Sequence, residues 1–248
     1  MPLPEELEKQ GRWLFRRRSY LPLLLLPVLI LALRDSESIE KGLGEVGENI
    51  YQGICIAISA FGLAARCYVV GTTPKGTSGR NREAQQAESL NITGMYSIVR
   101  HPLYLGNFLI FFGIALFPGV WWFVIIFALA FWLYYERIIF TEEAFLRGKF
   151  GEEFVRWAER TPAFVPNFRL WKPSDLPMAF RSILQREYSG FFAIIAAFTI
   201  LKTIHEFFAK HRLELDRGWI IAFAAGLLIF LVLRTLRKKT KIFEVEGR

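Results

Sequence analysis

Arg100 and His101 stand immediately before Pro102, where a polar stretch gives way to an apolar run. Proline suits the first position of a helix, so Pro102 marks a helix start. The unpaired N–H groups and positive dipole end there favour an anion, and Arg100 and His101 would add donors to them. Gly106, one turn on, lets another group approach the helix backbone closely. At the far end of a second apolar run and just past it come Glu136, Glu142 and Glu143. These carboxylates could accept from an ammonium or a hydroxyl, or take a proton from a nucleophile. The same residue types also serve as ordinary boundary anchors, and Glu143 and Arg147 have the spacing of a simple i,i+4 pair. The residues alone leave a chemical site and a plain helix boundary both open.

The elements between them argue for proximity. Leu103–Phe117 and Trp121–Phe140 are apolar runs joined only by Pro118–Gly119. So short a link forces an antiparallel helical hairpin, which returns both of its outer ends to one face. Further apolar runs cover Ile50–Val70, Gly190–Phe208 and Trp219–Leu233. They lack helical periodicity, as expected of helices solvated by lipid on all sides. Tyr20–Leu33 is a shorter candidate that contains Pro22 and Pro27. Trp13 to Phe15 would extend it, with Arg16, Arg17 and Arg18 snorkelling to the surface. No small-x-small cleavage site follows, so the run reads as a span rather than a signal peptide. With 53% hydrophobic residues, the chain is expected to be an all-α polytopic membrane helix bundle of about six transmembrane helices.

The net charge of +8 is explained by topology rather than by nucleic acid. With the N-terminus inside, cytoplasmic segments carry 24 Lys and Arg against 6 outside, which predicts a multi-pass protein with both ends in the cytoplasm. A bacterial inner membrane and the endoplasmic reticulum fit equally. Membrane lipids are the expected surroundings, and anionic headgroups the expected neighbours of the basic loops. Cys55 and Cys67 lie in one apolar run, and His101, His205 and His211 form no ligand pattern with them, so no metal is expected. The sequon Asn91-Ile92-Thr93 falls on the inner side and is discounted.

Three regions result: 1–70 with two spans, 71–170 with the polar loop and the hairpin, and 171–248 with two spans and a basic tail. Gly71–Arg100 is a loop rich in turn-forming residues. Thr141–Arg160 reads as an amphipathic helix, with Leu146, Phe150, Phe154 and Trp157 on one face. It could lie on the bilayer or cover a cytoplasmic site as a lid.

Arg100-His101-Pro102-x-Tyr104-x-Gly106, then a hairpin, then Glu142-Glu143-x-x-Leu146-x-x-x-Phe150-Gly151, resembles the isoprenylcysteine carboxyl methyltransferase and phospholipid methyltransferase superfamily. The resemblance covers roughly 71–166. It implies an S-adenosylmethionine site at the cytoplasmic end of the hairpin. Tyr96, His101, Pro102, Tyr104 and Gly106 would help to hold the cofactor, together with Glu142 and Glu143. Arg100, Glu142 and Glu143 would be the catalytic set. Phe154 and Trp157 stand where the family often has tyrosines, so no tyrosine hydroxyl is available there.

This chemistry suits the residues. S-adenosylmethionine carries a carboxylate, an ammonium, a ribose diol, an adenine and a sulfonium. Helix-start donors suit the first, a glutamate the second or third, and aromatic faces the last two. A carboxylate or phosphate acceptor needs no general base, whereas an amine must lose a proton, which Glu142 or Glu143 could assist. The implied partner is a lipidic or prenylated substrate: a prenylcysteine carboxylate, a lipid phosphate or a lipid amine. Two other classes fit the sequence less well. An NADPH-dependent membrane reductase of the sterol-reductase type would carry more spans before the hairpin. A non-enzymatic lipid-binding or transport protein would carry more polar residues mid-span than Arg66, Lys202, His205 and Glu206 supply.

Overall fold

A computed structural model describes residues 2–17, 20–36, 39–74, 87–210, 216–243 and 245. Among them the secondary structure is helical: α1 Leu3–Arg17, α2 Leu26–Asp35, α3 Ile39–Thr72, α4 Pro102–Leu116, α5 Trp121–Phe150, α6 Glu152–Arg160, α7 Phe180–Lys210 and α8 Arg217–Lys239. Four helices are long and apolar enough to cross a membrane: Gly44–Thr72, Trp121–Phe150, Phe180–Phe208 and Arg217–Lys239. Pro102–Leu116 is a shorter apolar helix, and α2 is entered through a 3-10 turn over Leu21–Leu25. The molecule is a polytopic membrane helix bundle.

Three expectations are corrected. Trp13 to Phe15 do not prolong the first span: they belong to α1, a separate amphipathic helix packed against the C-terminal part of α5. Arg18 lies outside the described residues. The expected helix Thr141–Arg160 does not start at Thr141. Residues 141–150 continue α5 without a break, and α6 begins only at Glu152. The reason is Gly151, whose φ of 53° leaves the helical region and turns the chain; a residue with a β-carbon rarely takes that conformation. Finally, α7 starts at Phe180, well before the apolar run at Gly190, because a helix end can leave the bilayer and stay helical while it packs on a neighbour.

α3 and α4 make the most extensive helix contact. Small residues form the seam. A β-carbon at Gly113 would collide with Ser59 Oγ, and one at Gly62 would lie 2.7 Å from Gly106 O. Between membrane helices, where burial of apolar surface drives little, such close backbone approach supplies the van der Waals energy of association. Ser59 Oγ adds a hydrogen bond to Ile110 O at 2.8 Å. Two apolar cores flank the seam. Ala32, Ala115, Val120, Phe123, Phe127 and Phe131 join α2, α4 and α5; Leu33, Cys55, Phe117, Ile194, Phe198 and Leu201 join α2, α3, α4 and α7. The hairpin turn is tied down by Ser36 Oγ donating to Pro118 O (2.6 Å) and Tyr51 Oη to Leu116 O (2.6 Å). α8 is peripheral and packs on α7 through Tyr188, Phe192, Phe223 and Phe230.

Candidate active site

Pro102 opens α4 and His101 caps it with non-helical torsions, φ −123° and ψ 62°. This places His101, which is 5% exposed, and Arg100 against the C-terminal extension of α5. Glu143 on that extension serves both. Arg100 Nη1 donates to Glu143 Oε2 at 2.8 Å, and His101 Nε2 lies 2.9 Å from Glu143 Oε1. Glu142 Oε2 is buried 3.7 Å from His101 Nδ1. The hairpin thus brings the cation-bearing entrance and the two carboxylates together. Glu136 stays outside this group: it is exposed and pairs with its neighbour Arg137 at 3.7 Å.

Aromatic rings line the cluster. Tyr104, one turn into α4, stacks on His101 with centroids 5.6 Å apart and packs against Tyr135 of α5 at 4.9 Å. Tyr96 sits in a short 3-10 turn, Met95–Ser97, half-buried below Arg100. Burial pushes its phenol above the usual range, and nearby Glu142 pushes it further, so the ring carries a neutral hydroxyl beside a carboxylate. Trp157 of α6 donates its indole N–H to Tyr96 O at 3.2 Å and meets Phe154 edge-on. Trp157 therefore fastens α6 to the Tyr96 turn, with Phe154 packed against the indole.

The segment after α6 closes the other side. Arg100 N donates to Pro162 O and Asn167 N to Ile98 O, each at 2.9 Å. Further on, Gly94 N donates to Lys172 O at 3.0 Å. An open cleft of about 670 Å³ lies there, lined by Arg100, Arg160, Pro162, Asn167, Phe168 and Arg169 among others. Arg100 Nε is buried without a hydrogen-bond partner among the described residues. A buried, unmatched guanidinium N–H beside a cationic cleft is the donor an incoming carboxylate would satisfy.

Gly106 differs in role from the rest of the motif. The side chain of Arg66, from α3, lies across it; a β-carbon at Gly106 would sit 2.5 Å from Arg66 Cγ. Arg66 donates to Asn107 Oδ1 (2.7 Å) and forks onto Glu187 of α7 (2.7 and 3.1 Å). Asn107 in turn donates to Tyr135 Oη at 3.0 Å. The sequence marks Arg66 only as a polar residue within a span, and Asn107, Tyr135 and Glu187 are not among the residues it singles out. The available signal was Arg66 itself, since an arginine within an apolar span needs a partner. Among the described residues no group of three or more His, Cys, Asp or Glu could hold a metal ion.

The matched sequence includes the residues of the hairpin. Residues 55–153 match the family described as phospholipid methyltransferase. Over 119 residues the chain is 26% identical to the protein-S-isoprenylcysteine O-methyltransferase of Schizosaccharomyces pombe, covering 48% of this chain and 50% of that one. Over 84 residues it is 40% identical to the cobalt-zinc-cadmium resistance protein CzcN of Cupriavidus metallidurans, covering 34% and 38%. Over 102 residues it is 35% identical to the nickel-cobalt-cadmium resistance protein NccN of Alcaligenes xylosoxydans xylosoxydans, covering 41% and 47%. The chain spans half or less of the length of these curated relatives. No solved structure matches it.

Proposed function

We propose, from a hairpin segment that belongs to the isoprenylcysteine and phospholipid methyltransferase superfamily, that the protein is an integral membrane methyltransferase using S-adenosylmethionine on a lipidic acceptor. The observation that carries this reading is the Arg100–His101–Glu143 cluster, with Glu142 beside it, at one end of the hairpin. When bound, S-adenosylmethionine supplies a methyl group on a cationic sulfur for in-line transfer. Arg100 meets a carboxylate with its unmatched Nε–H, and Glu142 accepts from an ammonium or a ribose hydroxyl. Tyr104 and Tyr96 offer ring faces to adenine or sulfonium. Glu143 keeps Arg100 and His101 in place by accepting from both. The cluster lies on the cytoplasmic side by the distribution of basic residues, and the acceptor enters sideways from the bilayer as a prenylated carboxylate, a lipid phosphate or a lipid amine.

Catalysis here is alignment and exclusion of water, which can supply roughly 7–11 kcal/mol of the barrier without an acid–base set. The test is equilibrium binding of S-adenosylmethionine to the purified protein in nanodiscs. Wild type should bind, and His101→Ala and Glu142→Ala should each weaken binding by about tenfold or more, the worth of one charge-assisted contact. A well-folded wild type that binds no S-adenosylmethionine, or binds NADPH in its place, overturns the reading.

A further inference from the structure

Glu187 lies on α7, beyond the segment that matches the methyltransferase family, yet its carboxylate reaches the site. It is 5% exposed and grips Arg66 bidentately, Nη2 to Oε1 at 2.7 Å and Nε to Oε2 at 3.1 Å. A fork of this kind fixes the plane of the guanidinium as well as its position. A third donor, Nη1, is thereby aimed at Asn107 Oδ1, 2.7 Å away. From there the contacts run to Tyr135 Oη, to the Tyr104 ring and to the His101 ring, which is held by Glu143. Gly106 leaves room for the Arg66 side chain to lie across α4 and reach this point.

We propose that Glu187 is a positioning residue for methyl transfer: acting through Arg66, it orients the Asn107–Tyr135–Tyr104 floor on which the cofactor cluster rests. The inference builds on the methyltransferase reading and brings the C-terminal region into the site. The alternative role is a plain fastener between α3 and α7. The molecule contains the control for it. Toward the far end of the same two helices, Lys202 pairs with Glu48 at 3.1 Å and with Glu206 at 3.5 Å, and Gln52 donates to Glu48 at 2.6 Å. That pair is buried like the first and joins the same helices, but among the described residues its contacts stay on them and lead to no site residue.

The experiment compares S-adenosylmethionine binding and thermal unfolding for the full chain in nanodiscs. Glu187→Gln should weaken binding about tenfold or more, the size of one charge-assisted contact. Glu187→Asp, which keeps the charge, should restore most of it. Glu48→Gln should bind as wild type does even where its unfolding temperature falls as far. Should Glu187→Gln fail to fold, Arg66→Met combined with Glu187→Met removes both charges and strands neither. That double variant should fold and still bind at least tenfold more weakly. Wild-type binding in Glu187→Gln or in the double variant overturns the proposal. So does a loss in Glu187→Gln and Glu48→Gln alike that tracks their unfolding temperatures. Absence of binding in wild type itself is the separate outcome that fails the methyltransferase reading underneath.

Discussion

Glu143 has the most demanding position of any single residue in the site, because its one carboxylate serves both the Arg100 guanidinium and the His101 ring. Glu143→Gln keeps the shape but removes the charge and offers an N–H where an acceptor is needed. Arg100, whose side chain is 18% exposed, then loses its counter-charge in a partly dry setting. A hydrogen bond to a charged group is worth about 1.5–3 kcal/mol, so affinity for S-adenosylmethionine should fall by one to two orders of magnitude. An unchanged affinity in a titration of the purified variant would assign Glu143 to structure alone. Tyr96 makes a prediction in pH. Its folded phenol ionises above the usual range through burial and Glu142, so the neutral form persists past the pH at which a free tyrosine ionises near 10. The alkaline limbs of the activity profiles of wild type and Tyr96→Phe should therefore share one shape up to about pH 10. An inflection near 10 in wild type that Phe abolishes would show an ordinary, solvated phenol. Arg100, His101, Glu142 and Glu143 were legible because helix-start chemistry and a two-residue hairpin turn both act over short stretches of chain. Glu187 was not, because its pairing with Arg66 joins residues far apart in sequence and follows from helix packing.

At the scale of elements, the carboxylates depend on an α5 that runs past the membrane boundary, and α1 braces that extension. Thr141 Oγ1, which donates to Arg137 O at 2.9 Å, lies 3.3 Å from Glu8 O, and Arg137 Nε donates to Gln10 Oε1 at 2.9 Å. Gly11 is the contact point: a β-carbon there would overlap Thr141 Oγ1 and Arg137 O. Gly11→Val should therefore push α1 off α5. Overpacking of this kind costs about 1–3 kcal/mol, and cofactor affinity should fall with it because Glu142 and Glu143 follow Thr141 directly. Thermal unfolding together with S-adenosylmethionine binding reads both effects; a variant unchanged in either would show α1 to be a passive surface helix. The apolar runs announced the long helices, since composition alone separates lipid-facing helices from the rest. Their ends were not announced. Phe150 as the end of α5 and Phe180 as the start of α7 lie among mixed residues, where packing decides whether a helix continues. Gly151 was visible in the sequence as a weak point, but only its positive φ shows that the helix breaks there.

For the whole molecule, the arrangement turns on which face of the membrane holds the cluster. The hairpin puts Arg100, His101, Glu142 and Glu143 at one end of the bundle. The turn that joins α4 to α5 lies at the other, where Trp122 Nε1 donates to Asp35 Oδ2 at 2.9 Å. The cationic segments gather at the site's end: Arg160 and Arg169 line its cleft, and Arg234, Arg237, Lys238 and Lys239 close α8. Basic residues resist translocation, so this end should face the cytoplasm, where a soluble methyl donor would be supplied. The prediction is open to single-cysteine labelling after Cys55 and Cys67 are replaced by alanine. Glu159→Cys marks the exposed rim of the cleft, and Arg217→Cys marks the exposed start of α8 at the opposite end. A membrane-impermeant maleimide should label Arg217→Cys in sealed cells and leave Glu159→Cys unmodified, with the pattern reversed in inverted vesicles. The opposite pattern would place the cofactor cluster outside, away from any cytoplasmic methyl donor, and the proposed reaction would lose its supply even with every contact in the site intact.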